Sequence, residues 1–128
     1  NTIADNALDG IYESDPTATG SSLFKGNIIA RHGGDGIFSQ YKTPSIQGNT
    51  IVDNAGYGVN IFRAENRPEL RGNTITGNSR PARIPFSSLP GEDAGNTLVP
   101  NDLNVLTLIG NDLTHDASLG ASLGDGLL

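Results

Sequence analysis

Asp9 and Asp35 occupy the same place in two similar stretches, Asp9-Gly10-Ile11 and Asp35-Gly36-Ile37, with Asp5 and Asp53 near them in the pattern. Carboxylates held about one strand apart are oxygen donors of the kind that calcium gathers. An Asp-Gly step also makes a tight turn with no metal. The turn reading is favoured, because the third equivalent residue is Tyr57 and no GGxGxD repeat occurs. No cofactor is required by these residues, and calcium is the one ion they suggest.

A second group is basic. Arg63, Arg67 and Arg71, followed by Arg80 and Arg83, fall within one short window. Brought to one side, they could hold the carboxylates of an acidic polysaccharide through bidentate contacts. A solvated face balanced by Glu65 and Glu69 fits the same residues. Tyr12 and Phe38 are equivalent to each other and each follows an isoleucine expected to point inward, so both are expected to point outward. Such a pair can stack on sugar rings, pack beneath a loop or meet a neighbouring chain.

No residue is assigned a catalytic role. The two histidines, His32 and His115, are far apart and both sit at turn positions, where hydrogen bonding explains them as well as catalysis does.

These groups must be positioned by a repeat. The stretch GNTIVDNAGYGV from Gly48 has relatives at Gly26 (GNIIARHGGDGI), Gly72 (GNTITGNS) and Gly110 (GNDLTHD), and the chain opens with NTIADNALDGI. The opening glycines are 22, 24 and 38 residues apart. Treating the last interval as one coil plus a loop insertion at about 79–105, which is rich in proline, leaves a period typical of solenoids.

Within the unit, apolar residues recur at three places: Ile3, Ile29, Ile51, Ile75 and Leu113; Ile11, Ile37 and Val59; and Phe24, Ile46, Leu70 and Leu108. Polar or small neighbours flank them, as in Thr50-Ile51-Val52, which is the alternation of a short strand with one buried face. Asn27, Asn49, Asn73 and Asn111 share one corner, where stacked amides can form a ladder from coil to coil. Asn6, Asn54 and Asn78 mark a second turn and are expected to supply its left-handed backbone angles. Thr2, Thr50 and Thr74 stack outward in a column interrupted by Ile28 and Asp112, a partial likeness to the threonine faces of ice-binding solenoids.

The pattern G-N-x-I-x-x-N followed by G-I or G-V resembles the repeat of right-handed parallel β-helix proteins, the pectate-lyase-like superfamily, and within it the β-helical modules of mannuronan C5-epimerases and surface carbohydrate proteins. The resemblance implies an all-β, right-handed parallel β-helix of about five coils with three short strands each. It implies secretion or a cell-surface location. Epimerases of this superfamily carry an Asp-Pro-His-Glu motif, whereas Asp15-Pro16 is followed here by Thr17-Ala18.

Composition narrows the function classes. Hydrophobic residues make up 35%, and the charged fraction of 17% is too low for an ordinary disordered chain. The net charge of −6 places all eight basic residues between 25 and 83, with acidic segments on either side. That balance argues against nucleic-acid binding. No apolar run is long enough for a membrane span, and with no cysteine there is no disulfide.

The expected function is therefore a structural or carbohydrate-binding segment of a secreted or cell-surface β-helix protein. The alternative is a fragment of a polysaccharide-modifying enzyme, a uronan C5-epimerase or lyase. Neither end shows a recognisable solenoid cap, so the segment is expected to belong to a longer protein or to self-associate end to end.

Overall fold

Gly-Asn-Thr-Ile joins a residue free to bend, a corner amide and a β-branched pair that favours extension. In a computed structural model, which describes residues 1–17 and 20–110, each such unit turns a corner and enters a strand. The first coil comprises β1 (Thr2–Ala4), β2 (Ile11–Glu13) and β3 (Leu23–Lys25). The second has β4 (Ile28–Ala30), β5 (Ile37–Ser39) and β6 (Ser45–Gln47), and the third β7 (Thr50–Val52), β8 (Tyr57–Ile61) and β9 (Glu69–Arg71). β10 (Thr74–Thr76) and β11 (Arg80–Pro85) follow, and then β12 (Thr107–Ile109).

Among the described residues, strands pair only with their counterparts in neighbouring coils, always in parallel. The result is three sheets, ordered β1-β4-β7-β10, β12-β11-β8-β5-β2 and β3-β6-β9. The chain is the right-handed β-helix that the family resemblance implied, with about four turns where about five coils were expected.

Register fixes the core. Ile3, Ile29, Ile51 and Ile75 align across the first sheet, Ile11, Ile37, Val59 and Ala82 across the second, and Phe24, Ile46 and Leu70 across the third. Ile29, Ile37, Ile46, Ile51, Val59 and Ile75 have no exposed surface. Each such side chain contributes about 1.5–3 kcal/mol by leaving water.

The corners are held by amides. The Asn27, Asn49 and Asn73 side chains each donate to the Oδ1 of the asparagine in the next coil, ending at Asn96, over 3.0–3.1 Å. The same oxygens also accept the backbone N–H of the preceding member. A parallel column runs through His32, Asn54, Asn78 and Asn101. Buried polar groups at each bend are thereby paired.

Four expectations need correction. The segment 79–105 is not a loop inserted into a coil: β11 lies in the second sheet, and Gly95-Asn96-Thr97-Leu98 repeats the unit, with Thr97 bridged to Thr74. The hydrogen bond from the Asn73 side-chain amide to Asn96 Oδ1 fixes that register, so the rung after Thr74 is Thr97 rather than Asp112. Asn111, proposed as the ladder's next member, lies outside the described residues.

Leu108 belongs to the second sheet, opposite Ile84, rather than to the third, and Gly110 directly follows that strand. At the second turn, the positive φ angles fall on Asp5 (63°), Arg31 (57°), Asp53 (58°) and Gly77 (69°), one residue before the positions expected. The residues after Arg31, Asp53 and Gly77 are buried and spend their side chains on the ladder.

Candidate functional site on the outer face of the second sheet

Because alternate residues of a strand face opposite ways, the register that points Ile11, Ile37, Val59 and Ala82 inward turns their neighbours outward. Tyr12, Phe38, Asn60, Arg83 and Thr107 thus form one outer row across the five strands of the sheet. Phe62, just past β8, joins its edge.

The aromatic members stack on one another. The Tyr12 and Phe38 rings lie 5.1 Å apart and within 7° of parallel, and Phe62 meets Phe38 at 6.0 Å in a tilted contact. Phe38 is therefore enclosed between two rings, and the aromatic surface offered to a partner comes chiefly from Tyr12, 64% exposed, and Phe62, 47% exposed. The sequence reading found the first two members of this strip and missed Phe62, which stands two residues past the register position aligned with Phe38.

The basic residues separate into two kinds. Arg63 ion-pairs with Glu65 at 3.1 Å and lies over the Tyr41 ring at 4.5 Å. Arg71, on β9, pairs with Glu69 at 3.3 Å. Glu69 is held below the usual carboxylate range, first by the Ser45 hydroxyl and then by Arg71; for Glu65 its own backbone N–H comes first and Arg63 second. Arg67 is exposed and lines a separate cleft of about 400 Å³ with Glu65 and Phe86. Arg63 and Arg67 thus border the turn after β8 while Arg71 stands in the third sheet, so these three do not form the single cluster that their spacing suggested.

Arg80 and Arg83 behave differently. Both lie on β11, half-buried, and neither forms an ion pair among the described residues. Arg83 donates to Asn60 Oδ1 at 3.3 Å and rests over the Phe62 ring at 5.3 Å. Arg80 donates to Tyr57 Oη at 3.2 Å, and the Tyr57 and Thr107 hydroxyls are 2.9 Å apart. Two guanidinium groups are thus held by neutral acceptors and aromatic rings beside the strip.

Asp9 and Asp35 act as turn supports. Asp9 Oδ1 accepts the backbone N–H of Asp35, and Asp35 Oδ1 accepts that of Tyr57, both at 2.7 Å. Asp35 Oδ2 also accepts from the Asn60 amide at 2.7 Å, which links the carboxylate to Arg83 through Asn60. Burial pushes the Asp35 carboxyl above the usual carboxylate range against the opposing pull of those hydrogen bonds. Among the described residues, no three His, Asp or Glu side chains come together as a metal cage.

His32 occupies an asparagine's place in the second ladder. Its Nδ1 accepts the Asn6 N–H at 3.2 Å, which puts the ring proton on Nε2, 3.1 Å from the Ile3 carbonyl. Asn78 and Asn101 bond the equivalent carbonyls of Ile51 and Ile75. His32, 2% exposed, is committed to the scaffold.

Composition gave no sign of the polar node at Glu13, which aligns with the buried Ser39 and Ile61 yet carries a carboxylate. Ser39 and Ser22 hydroxyls donate to it, and Lys42 lies 3.5 Å away. The inward register of Glu13 was legible from Ile11, two residues earlier; its partners were not.

A family model described as "Right handed beta helix region" matches residues 1–103, so the chain belongs to the right-handed β-helix family. No curated protein and no solved structure matches it. The narrower likeness to mannuronan C5-epimerase modules finds no support in these comparisons.

Proposed function

We propose that this β-helix binds a glycan chain along the outer face of its second sheet, as a non-catalytic segment of a secreted or cell-surface protein. The observation that carries the reading is the conjunction on one face of exposed aromatic surface, at Tyr12 and Phe62, with Arg80 and Arg83, neither of which forms a direct ion pair with a carboxylate among the described residues. Sugars offer apolar ring faces and many hydroxyls, and sites that take them pair aromatic surface with a few fixed polar groups. The row from Tyr12 to Arg83 crosses three strand spacings, about 14 Å. That length suits an oligosaccharide better than a single sugar.

The other faces offer less. The outer residues of the third sheet include Glu69 and Arg71, which neutralise each other. The outer positions of the first sheet carry Thr2, Ile28, Thr50 and Thr74, with neither ring nor charge.

Affinity electrophoresis of the chain through gels containing neutral and acidic polysaccharides tests the reading. Retardation by at least one glycan is expected, and Tyr12→Ala should weaken it. Unretarded migration through all of them would refute it. Incubation with alginate and pectate, with and without calcium, tests the enzymatic alternative, for which unsaturated products or altered C5 stereochemistry would be the sign.

A further inference from the structure

We infer that Arg80 reads an oxyanion substituent, a carboxylate or a sulfate ester, carried by the bound glycan; the inference rests on the glycan-binding reading and adds the class of sugar. The arginines of this chain show two habits. Arg31, Arg63 and Arg71 each meet a carboxylate at 2.7–3.3 Å, which is the usual fate of a guanidinium near acids. Arg80 instead directs one nitrogen, Nη1, to the Tyr57 hydroxyl at 3.2 Å and toward the Thr107 hydroxyl at 3.5 Å. Its carbon centre lies 5.9 Å from the centroid of the Tyr57 ring.

Nε and Nη2 have no hydrogen-bond partner among the described residues. A fork anchored at one nitrogen by neutral groups keeps donors and a full positive charge for a planar or tetrahedral oxyanion. Its position lowers the ordering cost of capture, since the Tyr57 ring and two hydroxyls already restrict the side chain.

The surroundings fit. Arg80 borders a cleft of about 160 Å³ formed with Gly56, Tyr57, Ser79 and Leu103. At roughly 30 Å³ per water, that is room for about five waters. A compact oxyanion with its residual hydration fills it, while the sugar ring stays outside on the sheet face. Ser79 lines the same cleft, and a serine hydroxyl can donate to an anion. Arg83 is the internal contrast: it is linked through Asn60 to Asp35, so part of its charge is already answered by the protein. Arg80 has no such link.

Calorimetric titration of the intact chain with three oligosaccharides of equal length, one neutral, one composed of uronic acids and one sulfated, tests the inference. The parent is expected to bind at least one acidic probe roughly tenfold or more tightly than the neutral one, the value of a charge-assisted hydrogen bond, with the preference shrinking as salt rises. Whether the uronate or the sulfated probe binds tighter identifies the group.

Arg80→Gln should bring the affinity for the acidic probes down to that for the neutral one, and Arg80→Lys should retain part of the preference. Circular dichroism establishes that each variant is folded. Equal affinity of the parent for neutral and acidic probes, or an undiminished preference in both variants, overturns the inference while the glycan reading stands. Absence of binding to every probe overturns both.

Discussion

Removing one rung of the buried amide column should cost more than removing any exposed ion pair. Asn78 is 0% exposed. Its Oδ1 accepts the Asn54 backbone N–H at 3.0 Å and the Asn54 amide at 2.8 Å, and its Nδ2 donates to the carbonyls of Ile51 and Thr76 at 3.0 and 3.1 Å. Asn78→Ala deletes these contacts and leaves two Asn54 donors facing a space too narrow to hydrate well. A buried donor left unpaired costs about 1–3 kcal/mol, so the two together imply about 4 kcal/mol. A domain of this size is stable by only about 5–15 kcal/mol.

Urea unfolding followed by far-ultraviolet circular dichroism should therefore show a large fall in midpoint at unchanged slope. Arg31→Ala breaks an exposed bidentate pair with Asp5 and should leave the midpoint nearly where it was. A loss below about 1 kcal/mol for Asn78→Ala would refute the reasoning that the ladder is a structural necessity of the bends.

Gly58→Ala should cost about 3 kcal/mol in the same assay, because a methyl there would overlap the Ile75 side chain and lie 2.8 Å from the Pro81 carbonyl oxygen; an unchanged midpoint would mean the coils can spread. His32→Asn restores the residue type of the neighbouring rungs and should change stability by less than about 1 kcal/mol, whereas His32→Leu should cost several times more; equal effects would contradict the ladder role. Burial raises the Asp35 pKa, so the folded chain holds that proton more tightly than the unfolded one, and the stability this gives at low pH is lost as pH rises through the folded value. Thermal melts between about pH 3 and 6 should accordingly show Asp35→Asn shifted toward greater stability with rising pH relative to the parent, while parallel curves would contradict it.

Much of the scaffold was legible because inward isoleucines recur in register and corner asparagines follow glycines of positive φ. The coil beginning at Gly95 was obscured by its surroundings. Prolines at 81, 85, 90 and 100 read as loop, yet Pro81 stands where β11 is paired only with β8, and Pro85 where it is paired only with β12. A proline is tolerated at a place with one neighbour, since fewer ladder bonds depend on it. In the coil that begins at Gly72, the third-sheet strand is replaced by a 3-10 turn, Glu92–Ala94, whose last carbonyl still receives the Gly72 N–H.

The outer face was only half legible. Tyr12 and Phe38 followed from alternation, but pattern alone could not say which arginines meet acids. Arg63 and Arg71 each have a glutamate two residues away and pair with it; Arg80 and Arg83 do not, and coil stacking delivers them to Tyr57, Asn60 and Phe62.

The central claim, that a glycan lies along the outer face of the second sheet, is tested most directly by mapping amide chemical shifts of the labelled chain during titration with an oligosaccharide that it retains. The largest shifts are expected at Tyr12, Phe38, Tyr57, Asn60, Phe62, Arg80 and Arg83, with Thr50, Thr74, Ser45 and Glu69 little changed. Shifts concentrated on the first or third sheet would contradict the account.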